Sequence, residues 1–301
     1  RTTDEFRLSI LILAHKNFDQ VVRLINRLSH EKVDIFIHAD KKWILTEEQI
    51  FYLRSMNGGN VWFCNERFSI YLFDYSMVKA ELELIKTAYT HSKANCNRYY
   101  VLLSGQDYPI HSIDYIVSEL EKSYPRPYID TTMWHSNNWV SNSFGKVTAY
   151  KRQQSMIKTY INNHIRISTL NVVLRGFNYL FFSSISKIKQ VLFKTPYKRI
   201  RNLTLEMAGG SQWFILPEYM AIEPFKYTSN RQFMGIFKDV GSADETFFQT
   251  VLVNSPFKNE LTINRWDETE QKTRTYTDFY GDSSVSIGHP IILTKKNYKD
   301  I

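Results

Sequence analysis

The sequence has few cysteines and no long apolar run, and both shortages narrow the class of protein. Its 301 residues include two cysteines, Cys64 and Cys96, without C-x-x-C spacing. A disulfide framework or a structural zinc site needs more cysteines in closer spacing, so we expect a reducing, cytoplasmic compartment. No stretch reaches the roughly 18 consecutive apolar residues of a membrane-spanning helix. The hydrophobic content of 43% is ample for a single domain over residues 1–301.

Acidic residues are missing from one long segment. Between Thr131 and Leu205 there is no Asp or Glu, whereas this segment holds 12 of the 38 lysines and arginines. Within it, residues 146–201 have apolar residues at helical spacing, and we call them the basic insert. Its predicted amphipathic helices either lie on an anionic membrane surface or pack on the main domain with a solvated basic face.

Several catalytic motifs are missing as well. The chain contains no P-loop, G-x-G-x-x-G, G-x-S-x-G or H-E-x-x-H motif. It also has no D-x-D, the paired carboxylates with which many nucleotide-sugar enzymes hold Mn²⁺ or Mg²⁺ against the diphosphate. If the chain handles a nucleotide diphosphate, Lys and Arg side chains must offset its charge instead.

The apolar residues that are present alternate between strand and helix patterns. Short apolar runs bounded by turn residues predict buried strands at residues 8–13, 33–37, 61–63 and 99–103. Further strands are predicted at residues 128–130 and 209–216, and helices begin near Phe18, Asp74, Ser112 and Pro217. This alternation predicts an α/β fold, with a Rossmann-like, mostly parallel sheet and helices on both faces.

Polar residues follow two of these predicted strands. Ser104, Gly105, Gln106 and Asp107 come directly after one of them, and ligands of open α/β sheets bind beyond the carboxyl ends of strands. Gly105 would let a ligand approach the backbone, and Asp107 offers an acceptor. The alternative is a tight turn in which Asp107 satisfies its own backbone. Asp40, after the second strand, either contacts a nucleotide or belongs to a solvated charged turn.

The sequence SADE at residues 242–245 has the spacing of a helix-capping box. Ser242 and Glu245 are three residues apart, and the apolar residues Phe247 and Phe248 follow. In a capping box these two side chains would bond each other's backbone amides and begin a helix.

Four segments in this order carry a resemblance: IFIHADKK, LLSGQDYPI, GGSQWFIL and SADETFFQTVLVNSPF. Together they resemble the core-2/I-branching enzyme family of glycosyltransferases, which includes branching N-acetylglucosaminyltransferases and peptide O-xylosyltransferases. The resemblance extends from about Leu8 to Thr294 and implies a GT-A fold. It implies transfer of a sugar, with N-acetylglucosamine preferred, from a UDP-sugar to a glycan hydroxyl. It also implies inversion and no metal cofactor, in agreement with the missing D-x-D.

The resemblance assigns roles to matching positions. Glu245 holds the position of the general base, with Asp244 as the alternative. The residues expected next to the donor are Asp40, His15, Ser104, Gly105, Asp107 and Ser211. The residues expected next to the acceptor are Gln212, Trp213, Asp244 and Trp266. Either tryptophan could instead belong to the core, which we favour for Trp213. Xylosyltransferases carry Asp at the position of Gln212, which disfavours xylosyl transfer.

Two features depart from the family pattern. The family's last segment is basic and holds the diphosphate, and here only Arg274, Lys295 and Lys296 are candidates. Vertebrate members carry a membrane anchor and several disulfides, and the sequence shows neither. We therefore expect a bacterial, cytoplasmic member with peripheral contact at the inner face of the membrane. Its acceptor would be a glycan or lipid-linked oligosaccharide in surface polysaccharide or glycoconjugate synthesis, with no nucleic acid partner.

The basic insert keeps one rival function open. An acid-free segment interleaved with aromatic residues could grip phosphates, so the chain could be a non-enzymatic binder of anionic lipid or nucleic acid. Against this alternative, the four segments that carry the resemblance lie outside the insert and at predicted strand ends.

Overall fold

The computed structural model describes residues 5–71, 74–91, 96–133, 205–238 and 242–264. The basic insert lies outside these ranges. Among the described residues, the main sheet has six strands: β1 Glu5–Ala14, β2 Val33–Ala39, β3 Val61–Phe63, β4 Cys96–Ser104, β5 Tyr128–Ile129 and β8 Phe214–Pro217. A small three-stranded sheet contains β6 Thr131–Met133, β7 Ala208–Gly209 and β9 Ile263–Asn264.

The order of strands in the main sheet is β3-β2-β1-β4-β8-β5. The first four strands are parallel, and Leu8 of β1 pairs with Val33 on one side and Tyr99 on the other. β8 is antiparallel to both of its neighbours. The predicted mostly parallel α/β sheet is therefore confirmed, and its strand order reverses direction between β1 and β4.

Helices cover both faces of this sheet. They are α1 Phe18–Leu28, α2 Glu47–Ser55, α3 Ser76–His91, α4 Ile113–Ser123, α5 Glu218–Ala221, α6 Arg231–Lys238 and α7 Phe247–Val253. Alternate residues of β1 divide between two apolar layers. Leu8, Ile10 and Ile12 pack with α1, α2 and α4, whereas Leu11 and Leu13 pack with α3, α6 and α7. Burial on both faces explains why the strands read as continuous apolar runs.

The prediction of one strand at residues 209–216 is wrong, because the structure has two separate short strands in this region. Ala208 and Gly209 belong to the small sheet, whereas Phe214–Pro217 belongs to the main sheet. The chain between them passes so close to Asp130 that a Cβ on Gly210 would lie 2.0 Å from the Asp130 carbonyl oxygen. Pro217 ends β8 and precedes α5, so the prediction that it begins the helix is wrong by one residue.

An ion-pair network is buried in the amino-terminal half of the parallel strands. Both carboxylate oxygens of Asp34 accept hydrogen bonds from Arg7, at 2.6 and 2.9 Å, and Oδ2 also accepts one from Arg98 at 3.0 Å. Each of the three residues is at most 7% exposed. The network therefore joins β1, β2 and β4 through one carboxylate.

We predict that Asp34→Asn lowers the free energy of unfolding by about 3–5 kcal/mol, because among the described residues it leaves the two buried guanidinium groups with only the more exposed carboxylates of Glu5 and Glu218. Urea denaturation measures the loss. Asp114→Asn is the control, because its side chain is 81% exposed, and it should change stability by less than about 0.5 kcal/mol. A loss below about 1 kcal/mol in Asp34→Asn, the range of a surface ion pair, would contradict this account.

Candidate active site

Four loops meet at the carboxyl edge of the parallel strands. Backbone hydrogen bonds of 2.8 Å join them, from Asp40 N to the Ala14 carbonyl and from Gly105 N to the Leu13 carbonyl. β8 runs in the opposite direction, with Ile215 opposite Val101, so its amino end reaches this same edge. Residues 209–212 thus lie at the same edge of the sheet, on the β4 side.

Gly105 and Asp107 close the turn after β4. A Cβ on Gly105 would lie 3.1 Å from Ala14 Cβ and 3.2 Å from Val21, so packing against α1 explains the glycine. Asp107 Oδ2 accepts a hydrogen bond from Ser104 N at 2.6 Å, which confirms the tight turn that satisfies its own backbone. Burial raises the pKa of Asp107 to about 6. Contact of this turn with the donor stays a prediction.

Asp40 lies at the end of β2, and its buried carboxylate bonds two segments of backbone. It is 3% exposed, and its carboxylate accepts hydrogen bonds from Lys42 N at 2.7 Å and Ile70 N at 3.2 Å. The alternative of a solvated turn is therefore wrong. His15 directly follows β1 and has a solvent-accessible face, and the desolvation of its ring and the nearby charge of Lys16 lower its pKa.

Glu245 lies on a short 3-10 turn, Ala243–Glu245, that precedes α7. Its backbone N–H donates to the Ser242 carbonyl at 3.1 Å, and its own carbonyl accepts from Gly210 N at 2.9 Å. Ser242 has φ +56° and its side chain caps no helix, so the predicted capping box is wrong. The physical reason is that the left-handed Ser242 begins a tighter turn, and the α-helix begins five residues after it, at Phe247.

Helix α7 fixes both chain segments that meet at Glu245. All of its seven residues are buried. Gln249 Nε2 donates to the Ser211 carbonyl at 2.8 Å, and Ser211 N donates to Asp130 at 3.1 Å. The Thr250 hydroxyl donates to the Ala208 carbonyl and accepts from Ala208 N. The loop at residues 209–212 is therefore held against a rigid support.

Three carboxyl groups gather here, and we call Glu81, Asp244 and Glu245 the carboxylate cluster. Glu81 lies on α3, is 1% exposed, and accepts a hydrogen bond from Gln212 Nε2 at 2.8 Å through Oε1. The sequence prediction missed Glu81. A signal was present, because Glu81 is three residues after Val78 and four before Ile85, which places a carboxylate in the buried stripe of α3.

Burial raises the pKa of every member of the carboxylate cluster, and the Asp244 charge raises the pKa of Glu81 and Glu245 further. Desolvation raises the pKa of Asp244 to about 6, and desolvation together with the Asp244 charge raises the pKa of Glu81 well above its usual range. Glu245 has one side open to solvent, but the surrounding protein and the Asp244 charge raise its pKa to about 7. A carboxylate with this pKa suits proton abstraction near neutral pH.

The other predicted site residues fall into two groups. Trp213 is half-buried and packs against the main core, in agreement with the interpretation that we favoured. Trp266, Arg274, Lys295 and Lys296 lie outside the described residues. Within the described ranges, no group of three His, Cys, Asp or Glu side chains is arranged to hold a metal ion.

Comparison with known proteins gives one family. The model of the Core-2/I-Branching enzyme family matches residues 11–288, and the chain belongs to this family. Membership implies a glycosyltransferase that uses a nucleotide-sugar donor and a glycan acceptor. It gives no support to a non-enzymatic binder. No curated protein matches the chain significantly. In the part of the chain that the structure describes, no helix has the length and apolarity to cross a membrane.

We predict that Asp244→Asn lowers the pKa of Glu245 below about 7, because Asn keeps the shape but removes the charge that disfavours a second carboxylate. NMR titration of ¹³C-labelled glutamate carboxyl groups measures the shift directly. Asp114→Asn is the control, since α4 packs on the other face of the sheet, and it should leave the Glu245 titration unchanged. An unchanged or raised Glu245 pKa in Asp244→Asn would contradict the electrostatic account.

Proposed function

We propose that the chain is an inverting glycosyltransferase of GT-A type that needs no divalent metal. It transfers N-acetylglucosamine from UDP-N-acetylglucosamine to a hydroxyl group of a glycan or lipid-linked oligosaccharide acceptor. Glu245 is the general base. The reaction serves surface polysaccharide or glycoconjugate synthesis in a bacterial cytoplasm, with peripheral membrane contact. Family membership supports the reaction class, and the geometry around Glu245 supports the role of that residue.

One observation carries the mechanism: Glu245 is accessible to solvent on a rigid turn and has a pKa near 7. An inverting transfer is a single displacement at the anomeric carbon, in which the acceptor hydroxyl loses its proton as it attacks. One carboxylate within hydrogen-bonding reach of that hydroxyl is sufficient as the base. Near pH 7 a large fraction of Glu245 is ionised, and after the transfer it can release the proton to solvent.

The donor fits best at the carboxyl edge between β1 and β4. Strand order reverses there, and ligands of open α/β sheets bind at such points. Lys16 and Lys42 lie close enough to His15 to lower its pKa, so positive charge is present at this edge. Lys42 is already paired with Asp40 at 3.2 Å, so Lys16 and the sequence candidates Arg274, Lys295 and Lys296 are the cations that can offset the negative charge on the leaving UDP. The residues that border the donor site in the proposal are His15, Ser104, Gly105, Asp107 and Ser211. Asp40 stabilises the adjacent loop after β2 through its bonds to backbone amides.

We predict measurable UDP release from UDP-N-acetylglucosamine in the presence of EDTA, with water as the slow acceptor. Release should be slower from UDP-galactose, UDP-glucose and UDP-xylose. The expected rate is independent of added Mn²⁺, because Lys and Arg offset the diphosphate charge. Activity that EDTA abolishes and Mn²⁺ restores would contradict metal independence. Faster release from another donor would contradict the choice of sugar.

We predict that Glu245→Gln reduces turnover by roughly 10²–10⁴-fold, because Gln cannot accept the proton. UDP affinity should stay near the wild-type value, since the diphosphate site is separate from the base. Glu48→Gln is the matched control, because Glu48 is exposed on α2.

Asp244→Asn is measured alongside, and it should lose less turnover than Glu245→Gln. If Glu245→Gln keeps more than about a tenth of wild-type turnover, well short of the smallest loss expected for a base, the assignment fails. A larger loss in Asp244→Asn than in Glu245→Gln would move the role of base to Asp244.

A further inference from the structure

We propose that Glu81 is a positioning residue of this active site, which as a neutral carboxylic acid holds the side-chain amide of Gln212 in one orientation. The proposal rests on the proposed function, because it assigns Gln212 to the acceptor side of the site. It adds a residue on α3 that no predicted motif contains.

The first argument is geometric. The backbone around Gln212 is already fixed, because Gly210 N is bonded to the Glu245 carbonyl and Ser211 is held by Asp130 and Gln249. The backbone bonds leave the orientation of the Gln212 side chain to its own contacts. Its Nε2 donates to Glu81 Oε1 at 2.8 Å, and Glu81 is buried to 99%. The bond therefore selects one orientation of the amide and leaves the Gln212 carbonyl oxygen to accept a substrate hydroxyl.

The second argument concerns charge. Asp244 is next to Glu81, Tyr75 on the segment before α3 also faces it, and Glu245 is beside Asp244. Within the described residues, no ion pair brings a Lys, Arg or His to Glu81, and its Oε2 has no hydrogen-bond partner. Glu81 is buried and Asp244 is partly buried, and two adjacent carboxyl groups in such surroundings without a cation cannot both be ionised at low cost.

The proton belongs to Glu81 because the two carboxyl groups have different surroundings. The backbone amides of Asp244 and Glu245 lie close enough to the Asp244 carboxylate to favour its charged form, which offsets part of the rise that burial gives to its pKa. Glu81 accepts from one neutral amide only. The direction of the pKa shifts agrees, because the ionised Asp244 raises the pKa of Glu81 further. At neutral pH the pair then carries one negative charge, and that charge acts on Glu245.

The test compares an isosteric with a truncating substitution. Glu81→Gln keeps a neutral group with an oxygen that Gln212 can bond. It should retain kcat/KM within about threefold, which is less than 1 kcal/mol, and an unchanged pH midpoint for the Glu245 ionisation. Glu81→Ala frees the Gln212 amide and should lose at least about tenfold in kcat/KM, with thermal unfolding measured to confirm that the variant is folded.

A double-mutant cycle with Gln212→Ala separates positioning from a structural role. If Glu81 acts through Gln212, the double variant Glu81→Ala/Gln212→Ala should be no slower than Gln212→Ala alone. Multiplied losses would overturn the proposal, because they would show that Glu81 acts independently. A loss in Glu81→Gln as large as that in Glu81→Ala would overturn it too, because the ionised form would then be required.

A second readout needs no substrate, so it does not depend on the proposed function. The infrared difference spectrum of wild type minus Glu81→Gln at pH 7 should show a protonated-carboxyl C=O band, because the partly protonated Glu245 contributes equally to both proteins and cancels. The side-chain amide NMR signal of Gln212 should shift in Glu81→Ala but stay close to wild type in Glu81→Gln. Absence of the infrared difference would overturn the neutral state of Glu81, and an unshifted Gln212 signal in Glu81→Ala would overturn the contact. If both spectroscopic results hold while no sugar is transferred, the failure lies in the proposed function alone.

Discussion

The hydrogen bond from Gly210 N to the Glu245 carbonyl joins the two chain segments of the candidate active site. Gly210 belongs to the loop before β8, and Glu245 to the turn before α7. The backbone of residue 210 lies so close to the Asp130 carbonyl that only glycine fits there. Since α7 is wholly buried, the loop and the turn are held by the same rigid support. This contact, together with the bonds of Ser211 to Gln249 and Asp130, therefore sets the relative positions of the proposed base and Gln212.

The two ends of the sheet differ in whether cations compensate the carboxylates there. In the amino-terminal half, the Asp34 carboxylate lies between two guanidinium groups, so its charge is compensated. At the carboxyl edge, the described residues bring no such cation to Glu81 or Asp244, and the pKa of both carboxyl groups rises. The folded chain then binds more protons than the unfolded chain above about pH 4, so these groups reduce stability as the pH rises toward 7. This loss of folding stability has the same cause as the raised pKa values, because surroundings that disfavour the charged carboxylate also favour its protonation.

The sequence predicted those parts of the fold that depend on local periodicity. The strand Val61–Phe63 and the helix start near Ser112 are confirmed, because a short apolar run and a Ser before a helix are local signals. The capping box at Ser242 and the single strand at residues 209–216 are wrong, because tertiary contacts with Gly210 and Asp130 decide both. Glu81 was missed since its partner, Gln212, is 131 positions away in the chain.

The central claim is that Glu245 takes the proton of the acceptor hydroxyl at the carboxyl edge of the sheet. A crystal structure of the chain with UDP and an acceptor sugar tests it most directly. The account predicts an acceptor hydroxyl within about 2.6–3.2 Å of a Glu245 carboxylate oxygen, with UDP against the loops after β1 and β4. An acceptor hydroxyl beyond the reach of one bridging water from Glu245, or UDP bound away from that edge, would contradict it.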